Sequence, residues 1–192
     1  FQLAATFHQQ KLMVRSLPRL DIRYGTGQKQ KLDVFRCGDP AAPTLVYFHG
    51  GYWQRGDKSI YSFIATPFVT AGINVVVVGY DLCPDVTITR ISEEAREAMA
   101  HISTHGEALG VNRDRITVMG HSAGGHITQM MMATDWPAFG DGLPADLIKA
   151  GMPVSPLSYL EPVRLTEAAQ CRHSHGPSRN RGRKPNDKSS TG

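Results

Sequence analysis

Ten residues constrain this chain more than any others: Ile116-Thr117-Val118-Met119-Gly120-His121-Ser122-Ala123-Gly124-Gly125. A short apolar run enters Gly-x-Ser-x-Gly, and a helical pattern follows at once. A strand that turns directly into a helix forces its pivot into a strained backbone conformation, here with the Ser122 hydroxyl held clear of the sheet edge. Gly120 and Gly124 are needed because side chains there would collide across the turn. By itself the pattern also reads as a Gly-rich turn before a helix. A second feature decides between the two: His49-Gly50-Gly51-Tyr52-Trp53 ends another apolar run, Thr44 to Phe48.

The two features fit one chemistry. Attack by a serine hydroxyl puts negative charge on a carbonyl oxygen, and preorganised N–H groups must meet it. The residue after the serine offers one N–H at the start of its helix, and a Gly-rich loop from an earlier strand offers the others. Ser122 is therefore the expected nucleophile and Gly51, Tyr52 and Ala123 the expected oxyanion donors, with His49, Gly50 and Trp53 supporting the loop. Tyr52 and Trp53 are also candidates for lining an acyl pocket. His49 is expected to brace the loop by hydrogen bonding, His121 to pack beside the turn, and His126 to point away from the hydroxyl proton. His101 and His105 fall on a long helical pattern and are expected to be solvated.

At 192 residues the chain has one domain's length, and 41% hydrophobic with 20% charged residues is ordinary for a globular protein. The net charge of +4 is not a property of the whole: positions 171–192 carry a net of +5, which leaves the body at −1. A nearly neutral body argues against specific nucleic-acid binding. No apolar run is long enough to span a bilayer, and the first twenty residues lack a signal-peptide core, so no membrane association is expected. Cys37, Cys83 and Cys171 form an odd, sparse set, which suggests reduced thiols in a cytoplasmic setting. No cofactor or metal is expected, and the partner is a small-molecule substrate.

Strand and helix patterns alternate along the body. Asp21–Tyr24 and Lys31–Phe35 read as short strands around a Gly-rich turn, Thr44–Phe48 as a buried strand, and Ile73–Val78 as the central one. Ser59–Ala71 reads as a helix with Ile60, Phe63 and Ile64 on its inner face and a break near Pro67. Thr89–Leu109 is a long amphipathic helix with Ile91, Ala95, Ala98 and Ile102 inward. Ile116–Met119 is a strand, Ala123–Thr134 a helix with Ile127, Met130 and Met131 inward, and Leu147–Val154 one more strand. This alternation predicts an α/β fold with a mostly parallel sheet and helices on both faces. Residues 1–20 read as an N-terminal arm, 21–167 as the domain and 168–192 as a disordered basic tail.

The run His-Gly-Gly-Tyr-Trp-Gln-Arg-Gly-Asp-Lys, the later Gly-His-Ser-Ala-Gly-Gly, and the segments Lys31-Leu32-Asp33-Val34-Phe35 and Tyr80-Asp81-Leu82-Cys83-Pro84 resemble the α/β-hydrolase superfamily. Within it they resemble arylformamidase (kynurenine formamidase) and related esterases with His-Gly-Gly-x-Trp. The resemblance spans about Tyr24 to Thr166. It implies an α/β-hydrolase fold and hydrolysis of an aryl formamide such as N-formylkynurenine, a step of tryptophan catabolism, through an acyl-enzyme on Ser122. A broad-specificity carboxylesterase and a catalytically dead binding module are the alternatives.

In that superfamily the triad order is Ser, then Asp or Glu, then His. At ~30 residues per βα unit the acid and the histidine are expected beyond Thr166, in chain this sequence lacks, which leaves activity in question. Glu161 or Glu167 with His173 or His175 has the right order. Only 53 residues separate Ser122 from His175, however, too few for two more strands with their crossovers. The tail is read as a non-native end, such as a frame slip or fragment junction, over a nucleic-acid or membrane tail. Without a further strand beside it, Leu147–Val154 is expected to be an exposed edge prone to self-association or homo-oligomer formation.

Overall fold

The computed structural model describes residues 17–160. Six strands form one mixed sheet: β1 (Arg19–Arg23), β2 (Lys31–Phe35), β3 (Thr44–Phe48), β4 (Asn74–Val78), β5 (Ile116–His121) and β6 (Ile148–Val154), in the order β1-β2-β4-β3-β5-β6. The β1–β2 and β2–β4 pairs are antiparallel; β4–β3, β3–β5 and β5–β6 are parallel. The first strand begins at Arg19, inside the stretch read as an arm, and the basic tail lies outside the described residues.

β3 and β4 are buried along their whole length, as the apolar runs that follow Thr44 and Asn74 require. Alternate residues feed two cores. Val46, Phe48, Val76 and Val78 join Leu32, Val34, Ile116 and Val118 on one face, where α2 (Ile88–Leu109) and α3 (Ala123–Met132) cover them. Leu45, Tyr47, Val75 and Val77 face the other side, under a 3-10 helix (Lys58–Ile64) and α1 (Ala65–Thr70). A short α4 (Trp136–Phe139) buries Trp136 beside α3.

The long helix forms where its pattern places it. Thr87 caps it by accepting from the Arg90 N–H at 3.1 Å, Gly110 ends it in a left-handed conformation, and Ile91, Ala95, Ala98 and Ile102 are fully buried. In α3, Ile127 and Met131 are fully buried and Met130 packs against the same core.

One helix face is corrected. Ile60 and Phe63 are 63% and 67% exposed, and the residues turned to the sheet are Tyr61, Ile64, Ala65, Phe68 and Val69. The first seven residues wind as a 3-10 helix of three residues per turn, so a 3.6-residue wheel assigns the wrong face. The change of winding comes at Ile64–Ala65, ahead of Pro67. That proline sits in the first turn of α1, where its missing N–H breaks no helical bond.

Candidate active site

β5 ends at His121 and α3 begins at Ala123, so Ser122 alone makes the turn. It does so at φ 57° and ψ −115°, a strain of order 1–3 kcal/mol. Its surroundings over-determine that conformation. The Ser122 N–H donates to the Val154 carbonyl at 2.9 Å, and the Ser122 carbonyl accepts from His126 at 3.1 Å and Leu157 at 3.4 Å. A Cβ on Gly120 would strike the Gly124 carbonyl across the turn, and one on Gly124 would strike the Phe48 carbonyl. The second obstruction comes from the end of β3, so the neighbouring strand, as well as the turn, demands glycine there.

The loop after β3 lies against this turn. A Cβ placed on Gly50 would sit 2.8 Å from the His121 carbonyl and 3.6 Å from Ser122 Cβ. Gly51, Tyr52 and Trp53 follow with φ of 122°, 60° and 58°. Two consecutive non-glycine residues in the left-handed region are costly, and the loop is tied down to hold them. The Gly51 carbonyl accepts from Arg55 at 2.9 Å and Gln54 at 3.1 Å, and the Trp53 carbonyl accepts from Cys83 at 2.8 Å. Among the described residues no group accepts from the N–H of Gly51, Tyr52 or Ala123. Trp53 is 1% exposed and belongs to the core, whereas Tyr52, 36% exposed, keeps a ring at the surface.

His49 is buried beneath the loop between two phenol rings, stacked on Tyr80 at 4.2 Å and Tyr61 at 5.5 Å. Burial lowers its pKa, so the imidazole is neutral, and its Nδ1–H donates to the Gly50 carbonyl at 2.8 Å. The Tyr80 hydroxyl donates to the His49 carbonyl at 2.5 Å. Burial, with Tyr61 and Tyr47 nearby, raises the Tyr80 pKa and keeps that donor protonated. His126 is buried edge-on to Trp53 at 5.4 Å, and burial lowers its pKa too. His121 is exposed at the end of β5.

The far end of the loop is anchored by charge. Lys58 Nζ lies 2.6 Å from Asp33 Oδ1 and 2.9 Å from Asp21 Oδ1, and both Lys58 and Asp33 are buried. Burial opposes the ammonium, but hydrogen bonds and charge from Asp33 and Asp21 outweigh it and raise the Lys58 pKa. Sequence reasoning missed this anchor and the Tyr80–Tyr61 clamp. The signals were the Gly56-Asp57-Lys58 run, the Lys31–Phe35 segment and the Tyr80–Pro84 segment, all noted only as marks of resemblance.

No hydrogen bond reaches the Ser122 hydroxyl from any described residue, and Glu161, Glu167, His173 and His175 lie outside the described residues. Among the described residues no cluster of three or more His, Cys, Asp or Glu is arranged to hold a metal ion.

Residues 45–181 match a family model described as the alpha/beta hydrolase fold. The chain belongs to the α/β-hydrolase fold family. Among its family relatives, the kynurenine formamidase of Danio rerio is 34% identical over 171 residues, covering 83% of this chain and 55% of that protein. The kynurenine formamidase of Salmo salar is 31% identical over 164 residues, covering 81% and 54%. A solved structure from Silicibacter sp., provisionally assigned as a thioesterase, is similar with a TM-score of 0.67 and 31% identity, covering 86% of this chain and 59% of that one. The chain thus spans about half the length of the curated α/β-hydrolases it matches.

Proposed function

We propose that this hydrolase cleaves a small acyl group from an aryl formamide, N-formylkynurenine being the model substrate, with Ser122 as nucleophile. The observation that carries this reading is the convergence at Ser122: a strained serine, the Gly50–Gly51 segment beside it, and three amides with no acceptor among the described residues. The Ser122 oxygen bonds to the formyl carbon, and the carbonyl oxygen takes up negative charge facing the N–H groups of Gly51, Tyr52 and Ala123. The C–N bond then breaks, the amine leaves with a proton, and water releases formate from the formyl-serine. His49, Gly50 and Trp53 hold the donor loop.

A general base and its carboxylate must come from outside residues 17–160, because no histidine in that range bonds to the hydroxyl. The odd, sparse set of cysteines supports a cytoplasmic setting. No described helix is long and apolar enough to cross a membrane.

A carboxylesterase is the nearest alternative, favoured by the likeness to Esterase LipI of Mycobacterium tuberculosis, 36% identical over 97 residues. A binding module without catalysis is the third, favoured by a Ser122 hydroxyl that has no hydrogen-bond partner among the described residues. A fluorophosphonate probe tests the nucleophile: labelling lost in Ser122→Ala supports it, and no labelling of the parent favours the module. Turnover of N-formylkynurenine against short p-nitrophenyl esters separates formamidase from esterase.

A further inference from the structure

Away from the Ser122 turn, α2 carries two histidines whose arrangement the hydrolase reading does not use. His101 and His105 are four residues apart and therefore neighbours on one helix face. Their rings stack at 4.2 Å with planes 24° apart. The His105 ring is held from behind: Nδ1 lies 3.0 Å from the His101 carbonyl, an acceptor, so Nδ1 carries the proton and Nε2 presents a lone pair. An imidazole fixed through one nitrogen by a backbone carbonyl, with the other nitrogen bare, is the usual state of a metal-bound histidine. Neither ring nitrogen of His101 has a hydrogen-bond partner among the described residues.

We propose that His101 and His105 form a two-histidine site for a borderline divalent transition metal such as Zn²⁺ on the surface of α2. Burial and the neighbouring His105 both lower the His101 pKa, which favours the neutral ring that a metal needs. Zn–N bonds of about 2.0–2.1 Å at a tetrahedral angle set the two nitrogens about 3.4 Å apart. The stacked rings lie nearly parallel, so the stack has to open: His105 stays on its carbonyl while His101 turns about its side-chain torsions to aim a lone pair at the same ion. No third His, Cys, Asp or Glu joins the pair among the described residues, so water or a solution ligand completes the coordination. Glu97, one turn earlier, is already held by Arg90 and Gln30. The site is open and exchangeable, unlike a closed structural one.

The test uses the full chain with His173→Gln and His175→Gln, which removes the His-x-His of the tail as a competitor. Zn²⁺ alone is titrated calorimetrically, and the melting temperature is followed with and without it. Binding to the native state is expected to raise the melting temperature. His101→Asn and His105→Asn, on an exposed helix face that leaves far-UV circular dichroism unchanged, should each weaken binding at least about tenfold. The double variant should be little worse than either single one, since both rings hold one ion. Absence of Zn²⁺ binding by the parent up to millimolar metal would overturn the site. So would binding that survives either single substitution, or losses that simply add.

Discussion

The sheet has a centre and an edge of the same parallel geometry, and they behave differently. β3 and β4 are buried at every residue, with strands on both sides and helices on both faces. β6 pairs only with β5 among the described residues, none of its seven residues is fully buried, and Met152 is 54% exposed. Centre and edge nevertheless serve the same turn: β3 stops the Gly124 position from carrying a side chain, and β6 accepts the Ser122 N–H through Val154. A candidate nucleophile thus stands on one rigid support and one marginal one.

Breaking the centre should have the largest effect. Val76→Asp places a carboxylate between paired strands at a fully buried position, and a loss above about 4 kcal/mol is expected, seen as absence of a cooperative denaturant transition. Next comes the buried charge on β2. Lys58→Met strands Asp33 and should cost about 3–5 kcal/mol, whereas Lys58→Met with Asp33→Leu should recover most of it in the same measurement. Equal losses in both would mean the ammonium contributes more than neutralising Asp33. Ile102→Ala, beneath the central strands, should cost about 2–5 kcal/mol.

Acidification sharpens the contrast without mutation. His49 and His126 have folded pKa values below the ordinary 6.5, so the unfolded chain binds their protons first. Their contribution to stability is present above pH 6.5 and is lost as pH falls below it, and urea midpoints between pH 8 and 5 should decline accordingly. A flat profile would mean these rings are reached by solvent. Least affected is the edge. Met152→Lys should change stability by no more than about 0.5 kcal/mol while reducing self-association through β6, read by light scattering.

Most of this architecture was legible because periodicity and packing agree. Thr44–Phe48 forms a strand over the span its apolar run marks, and the inward positions of α2 are those its spacing selects. What escaped were places where a residue acts against its type. Lys58, Asp33 and Glu94 carry charges that no periodicity marks for burial, yet all are buried, with partners distant in the chain: Asp33 and Asp21 for Lys58, and the Asp81 N–H for Glu94 at 2.8 Å. Ile60 and Phe63 read as core but lie outside because the local winding is not α. At the turn, glycine spacing suggested the collision at Gly120. That Gly124 is obstructed by β3 required knowing which strand lies alongside.

The Lys58–Asp33 contact has a further bearing on how β2 finds its place. Asp33 is paired with Val77, whose side chain belongs to the core beneath the 3-10 helix. A slip of one residue along β4 would turn the carboxylate into the opposite, apolar layer and offer the ammonium Leu32 or Val34 instead. One electrostatic pair therefore works as a keyed fastener: it adds little to total stability but admits only one alignment of β2 on β4, and with it one position for the loop that lies against Ser122.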